Sequence, residues 1–102
     1  MKIQLLDLAE ADLLAGHDFY ERQSSGVGMY FLDTLHSDID SLRLYAGTHR
    51  RVYGYHRLLS RRFPYAVYYK IAQERIEIWR VLDCRRDPQW ISKQVRRNPG
   101  TR

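Results

Sequence analysis

Apolar positions along the chain change from helical to extended period near residue 50. Leu8, Ala11, Ala15 and Phe19 recur at spacings of three and four, which places them on one helical face, while Glu10, Asp18, Glu21 and Arg22 lie mostly elsewhere. A short strand over residues 2–6 precedes this helix. Asp7 is a suitable cap for it, and Glu10, three residues on, can close a capping box. The polar stretch Gln23-Ser24-Ser25-Gly26 interrupts the stripe. Leu32, Leu35, Ile39, Leu42 and Ala46 then build a second one that stops at Gly47, a residue suited to the left-handed position after a helix. Two helices joined by a turn of about four residues predict an antiparallel helical hairpin.

Residues 52–60, 65–71 and 76–84 are rich in Tyr, Val, Ile and Leu, and the separators 61–64 and 72–75 are short enough for hairpins. Three antiparallel strands are the expectation. Asp87 caps a last helix with Pro88 at its first position, where the missing N–H costs nothing, and Ile91 and Val95 lie one turn apart to dock it. The predicted order is β-α-α-β-β-β-α. This is an α+β fold in which an N-terminal helical hairpin packs on one face of a small antiparallel twisted sheet, leaving the far face to basic strand residues and the last helix. Residues 1–95 make one domain, and residues 96–102, basic and containing Pro99 and Gly100, are expected to form a flexible tail.

One hundred and two residues support a single core. Hydrophobic residues at 44% and charged residues at 28% are ordinary globular values, so the chain should fold. The lone cysteine, Cys84, offers no disulfide framework, and the N-terminus lacks a secretory pattern, so a cytoplasmic protein without a membrane partner is expected. Charge sharpens this picture. Residues 1–48 carry three basic against eight acidic side chains, net −5, whereas residues 49–102 carry 14 against four, net +10. Twelve of those 14 are arginine, which favours bidentate contact with carboxylate or phosphate, so an acidic or polyanionic partner is expected.

His17, His36, His49, His56 and Cys84 show no pair at zinc-site spacing, and Gly26-Val27-Gly28 lacks the later residues of a nucleotide loop, so neither metal nor cofactor is expected. Cys84 has Arg85 and Arg86 beside it but no base placed by sequence, which favours a small buried side chain at a strand end. The candidate binding residues are Arg50, Arg51, Arg57, Arg61, Arg62, Arg80, Arg85, Arg86 and Trp90. Strand alternation lets Arg57, Arg80 and Arg86 converge on the far face near Tyr55 or Tyr68. The opposing reading for Arg80 is an ion pair with a helical acid such as Asp12.

Arg61-Arg62-Phe63-Pro64-Tyr65-Ala66-Val67-Tyr68-Tyr69-Lys70-Ile71, followed by Ile76-Glu77-Ile78-Trp79-Arg80-Val81-Leu82-Asp83-Cys84-Arg85-Arg86-Asp87-Pro88, resembles the signature of RelE/ParE toxins of bacterial type II toxin–antitoxin systems. Ala11-Asp12-Leu13, Phe19 to Gln23, and Gly28 with Phe31-Leu32 extend the resemblance over residues 3–92. It implies a cognate antitoxin in a hetero-oligomer and one of two activities. ParE-type members poison DNA gyrase without hydrolysis; RelE-type members cut messenger RNA in the ribosomal A site. Ala66 stands where RelE-type members carry an arginine, and Trp90 or Ile91 where they carry a tyrosine, so a ParE-like gyrase inhibitor is expected. A ribosome-dependent mRNA endoribonuclease is the alternative, with His56, Arg57, Tyr68, Arg85 and Arg86 as its candidate catalytic residues. A plain nucleic-acid-binding module is the third reading.

Overall fold

The computed structural model describes residues 1–96. Its elements are β1 (Lys2–Leu5), α1 (Asp7–Gln23), α2 (Val27–Asp40), the single turn α3 (Leu42–Tyr45), β2 (Arg51–Val52), β3 (Tyr55–Leu59), β4 (Tyr65–Ala72), β5 (Arg75–Asp83) and α4 (Pro88–Arg96). Arg96 therefore ends a helix, and the rest of the tail expected to be flexible lies outside the described residues.

The α1 face that packs is one residue away from the predicted stripe. Ala9, Leu13 and Gly16 are buried with Tyr20 packed beside them, while Ala11, Ala15 and Phe19 are exposed. Gly16 explains the choice: Phe31 of α2 lies so close that a Cβ there would meet its ring carbons at 2.5 Å. The predicted capping box is absent. Leu6 is the N-cap without a side-chain bond, and Asp7 and Glu10 instead put negative charge in the first turn, where the helix dipole favours it. At the start of α2 the cap comes from α1, because the Glu21 carboxylate accepts the N–H groups of Gly26 and Gly28 at 2.9–3.1 Å. Phe31, Leu35, Ile39 and Leu42 bury as the second stripe predicts. Ser41 divides α2 from α3, its hydroxyl donating back to the Asp38 carbonyl at 2.6 Å.

The strands form one sheet in the order β1-β5-β4-β3-β2. Antiparallel hairpins join β2 to β5 as expected, but β1 runs parallel to β5, with Ile3 opposite Ile76 and Leu5 opposite Ile78, so the sheet is mixed rather than antiparallel. No hairpin ties these two strands, since the whole helical hairpin and three strands lie between them. The predicted strand over residues 52–60 is itself a hairpin: Tyr53 and Gly54 both take positive φ, 57° and 84°, the pattern of a tight two-residue turn. Gln73 and Glu74 make the equivalent turn between β4 and β5. Pro64 turns the chain into β4, with the Tyr65 N–H donating to the Phe63 carbonyl at 2.7 Å.

Both sheet faces are covered. The helical hairpin closes on Tyr65, Val67, Tyr69, Ile76, Ile78 and Val81. On the far face Ile91 and Val95 of α4 pack over Tyr55, Ala66, Tyr68, Trp79 and Leu82. Asp87 caps α4 as predicted, its Oδ1 accepting the Gln89 N–H at 3.3 Å. A bulge opposite Tyr68 and Tyr69 lets Ile78 and Val81 share the first face. Among the described residues no helix is long and apolar enough to cross a membrane.

Candidate functional site

Register fixes which basic side chains can meet. Arg57 of β3 lies opposite Tyr68 of β4, which lies opposite Arg80 of β5, forming one cross-strand row on the far face. The row does not stay open. Arg80 is only 6% exposed and closes on Asp12 of α1, Nε to Oδ2 at 2.8 Å and Nη2 to Oδ1 at 2.9 Å. Its Nη1 donates to the Gln94 carbonyl of α4 at 2.8 Å, and the Val81 N–H donates to the same carboxylate at 2.9 Å. Arg80 thus holds α1, β5 and α4 together, and the expected convergence of Arg57, Arg80 and Arg86 on an open face is corrected to that extent.

Arg57 remains beside the buried Tyr68. Burial raises the Tyr68 phenol above its ordinary value against the pull of the Arg57 guanidinium, with Cys84 and Tyr53 in the same group. Cys84 is exposed rather than buried as a residue. Crowding around its thiol nonetheless outweighs the charge of Arg57 and pushes the thiol up, so it is a poor nucleophile at neutral pH. Sequence reasoning set Arg57 near Tyr68 but missed Tyr53 and Cys84 beside them; the turn signal at Gly54 was the available clue to Tyr53.

His56 is not part of it. One residue along β3, it lies opposite Tyr69 and faces the helical hairpin, its ring stacked on Tyr69 with centroids 5.1 Å apart. Its Nδ1 sits 2.9 Å from the His49 carbonyl, an acceptor, so Nδ1 carries the proton and donates. His49 Nδ1 in turn meets the Tyr69 hydroxyl at 2.6 Å, and burial together with the His56 charge lowers its pKa. The candidate nuclease pair, His56 and Tyr68, therefore points to opposite sides of the sheet.

Arg85 and Arg86 diverge as well. Arg85 binds Asp83 through its backbone N–H, Nε and Nη2 at 2.8–3.0 Å. Burial works against ionisation of Asp83, but these bonds prevail and hold its carboxyl below the usual range, while Asp83 raises the pKa of Arg85. Arg86 instead lies 3.7 Å over the Trp90 ring. It borders a cleft of about 450 Å³ between α1 and α4, with Arg22 and the exposed ring of Phe19 on the α1 side. Arg50 and Arg51 are exposed around β2, Arg51 Nη2 reaching the Gly54 carbonyl at 3.3 Å. Arg61 and Arg62 are exposed in the β3–β4 hairpin, and Arg62 leans toward α2 to donate to the Tyr30 hydroxyl at 3.2 Å. Among the described residues no cluster of three or more His, Cys, Asp or Glu side chains is arranged to hold a metal ion.

What the arrangement offers is fixed positive charge beside aromatic rings. An arginine stays protonated and cannot accept a proton, so Arg57, Arg85 and Arg86 offer fixed positive charge but no general base.

A solved chain of the chromosomal ParDE toxin–antitoxin system from P. aeruginosa shares the fold, with a TM-score of 0.72 at 21% sequence identity over 79% of this chain and 92% of that one. No curated protein matches. The family described as the ParE toxin of the type II toxin–antitoxin system parDE matches residues 3–88. Over that span, which takes in both helices of the hairpin and all of the sheet but Lys2, the chain belongs to the ParE toxin family of type II toxin–antitoxin systems.

Proposed function

We propose that this toxin arrests growth in the cytoplasm by inhibiting DNA gyrase without hydrolytic chemistry, and that a cognate antitoxin neutralises it in a hetero-oligomer. The observation that carries the reading is the separation of His56 from Tyr68 by the sheet, which leaves Arg57 with no imidazole beside it among the described residues. RNA cleavage begins by removing a proton from the 2′-hydroxyl, and a guanidinium cannot take it. Positive charge carried by Arg57, Arg86 and the exposed hairpin arginines suits binding to acidic protein surface or phosphate instead.

The antitoxin reading rests on the cleft between α1 and α4. Phe19 and Ala15 of α1 and Trp90 line it, and Arg22 and Arg86 flank the opening, so an amphipathic segment with acidic residues fits both the apolar and the charged parts. Apolar anchors supply the affinity, because exposed ion pairs contribute only about 0.2–1 kcal/mol each.

The deciding experiment offers purified protein two substrates, relaxed plasmid with gyrase and ribosome-bound message. Inhibited supercoiling with intact message is the expected outcome. Codon-specific cleavage of the message would move the protein to the RNA-cleaving side of the superfamily.

A further inference from the structure

The register of β2 with β3 continues one step past Arg51 and His56, where the Arg57 N–H donates to the Arg50 carbonyl at 2.9 Å. Arg50 and Arg57 are therefore cross-strand neighbours on the sheet face that carries α4, and like charges set opposite each other weaken a ladder. No acid relieves them, since neither joins an ion pair among the described residues. Arg50 is exposed, and Arg57 bonds only the hydroxyl of Tyr68, whose group includes Tyr53. Tyr53 links this pair to α4, because Arg96 lies over its ring at 5.6 Å. From Arg96 a shallow groove of about 430 Å³ runs along α4, lined by Gln89, Ser92 and Lys93 and by no acid. The acids of the surrounding elements are committed: Asp12 to Arg80, Asp83 to Arg85, Glu77 to Arg75, and Asp87 to the first turn of α4. Lys93 and Arg96 also answer the carbonyl end of their helix, but Arg50 and Arg57 have no such internal use.

We propose that the strip of Arg50, Arg57, Lys93 and Arg96 docks the phosphate backbone of duplex DNA. A phosphate backbone gives affinity by releasing counterions and needs no apolar anchor. A protein partner does need one, and of the large exposed apolar side chains only Leu59 belongs to this sheet face. A single strand would add stacked bases, for which the face offers little: Tyr68 is buried, Tyr53 lies under Arg96 and Trp90 under Arg86. Ser92 and Gln89 supply neutral donors of the kind that position a backbone without reading sequence. The choice of DNA as the duplex rests on the gyrase reading, since duplex DNA is what gyrase holds; the uncompensated strip does not rest on it.

The test is fluorescence anisotropy of a labelled DNA duplex of about 20 base pairs with the full chain over a salt series, run beside a supercoiling assay. Saturable binding at low salt is expected, with log K falling against log salt at a slope of about −3 to −4 for four cations. Arg50→Gln and Arg57→Gln should each reduce that slope by about one and lower affinity severalfold. Lys2→Gln, which removes the same charge from β1 at the opposite edge of the sheet, should leave the slope alone. No binding at low salt, an unchanged slope in either arginine variant, or an equal loss in Lys2→Gln would overturn the proposal. Tighter binding to poly-glutamate or to the single strand of equal length would overturn it too, making the occupant an acidic polypeptide or stacked bases. Should Arg57→Gln not fold, Arg50→Gln decides, because that side chain is exposed outside the strand. A protein that inhibits supercoiling but ignores the duplex loses this inference and keeps the gyrase reading; one that binds the duplex without inhibiting supercoiling does the reverse.

Discussion

Asp12 and Arg80, 68 positions apart, are joined by two parallel hydrogen bonds of 2.8 and 2.9 Å in a site that also binds the Val81 N–H and the Gln94 carbonyl. Both side chains are largely buried. Removing one partner leaves the other charge stranded out of water, so Arg80→Leu should destabilise by about 3–5 kcal/mol. Urea unfolding measures this directly, and a loss below about 1 kcal/mol would mean that water reaches Asp12 in the folded state.

Gly16 reverses the usual rule for helices. In an exposed helix Gly→Ala gains about 1 kcal/mol. Here a methyl group would sit 2.5 Å from two carbons of the Phe31 ring, itself fully buried. Gly16→Ala should therefore cost about 1–3 kcal/mol through overpacking, and should recover in part when combined with Phe31→Leu. A stabilised single variant would show that the helices part without penalty.

These two sites mark where the sequence could and could not be read. The period change near residue 50, the second helical stripe, the hairpin separators at 61–64 and 72–75 and the Asp87-Pro88 helix start were legible, because each rests on local chemistry. The α1 stripe was misplaced because apolar side chains surround that helix from Leu8 to Ala15. What selects the face is Gly16, through a close approach that only the partner helix defines. The parallel pairing of β1 with β5 has no local signature at all. Likewise alternation put Arg57 and Arg80 on one face correctly, but whether an arginine reaches outward or folds back depends on an acid supplied by α1. The separation of His56 from Tyr68 follows from strand parity alone and was available once β3 and β4 were paired.

Phe63 docks against three rings, Tyr20, Tyr30 and Phe31, at centroid distances of 4.9, 5.5 and 5.1 Å. It is half-buried, so Phe63→Ala should cost about 2–4 kcal/mol, toward the lower side of the range for a buried aromatic. Thermal melting checks it. A variant that melts within a degree or two of wild type would reassign Phe63 from packing to partner contact.

Glu21 makes the hairpin sensitive to acid. The N–H groups of Gly26 and Gly28 hold its carboxyl below the ordinary 4.5, with burial opposing and His17 assisting. A carboxyl depressed in the folded state contributes stability that is present above its unfolded value and lost as pH falls through the folded one. The urea midpoint should therefore drop below pH 4.5, and more steeply in wild type than in Glu21→Gln. Parallel pH profiles for the two proteins would show that the cap carries no charge-dependent stability.

Arg85 and Arg86 are neighbours in sequence with separate tasks, and charge reversal should tell them apart. Arg85 is bound to Asp83 three times, so Arg85→Glu sets two acids against each other in the turn after β5 and should lower the melting temperature as well as toxicity. Arg86 is exposed, lies over the Trp90 ring and adds its charge to the field at Asp83 without a hydrogen bond to it. Losing that contact costs only about 0.5–1 kcal/mol of cation–π energy, so Arg86→Glu should melt within a few degrees of wild type. Binding is another matter, because an acidic surface that meets Arg86 would then face a like charge, which weakens association about tenfold or more. The measurements are growth arrest in the absence of antitoxin, supercoiling inhibition at a series of salt concentrations, and melting temperature. If Arg86→Glu inhibits as strongly as wild type at low salt, where charge matters most, the edge of the α1–α4 cleft takes no part in target recognition.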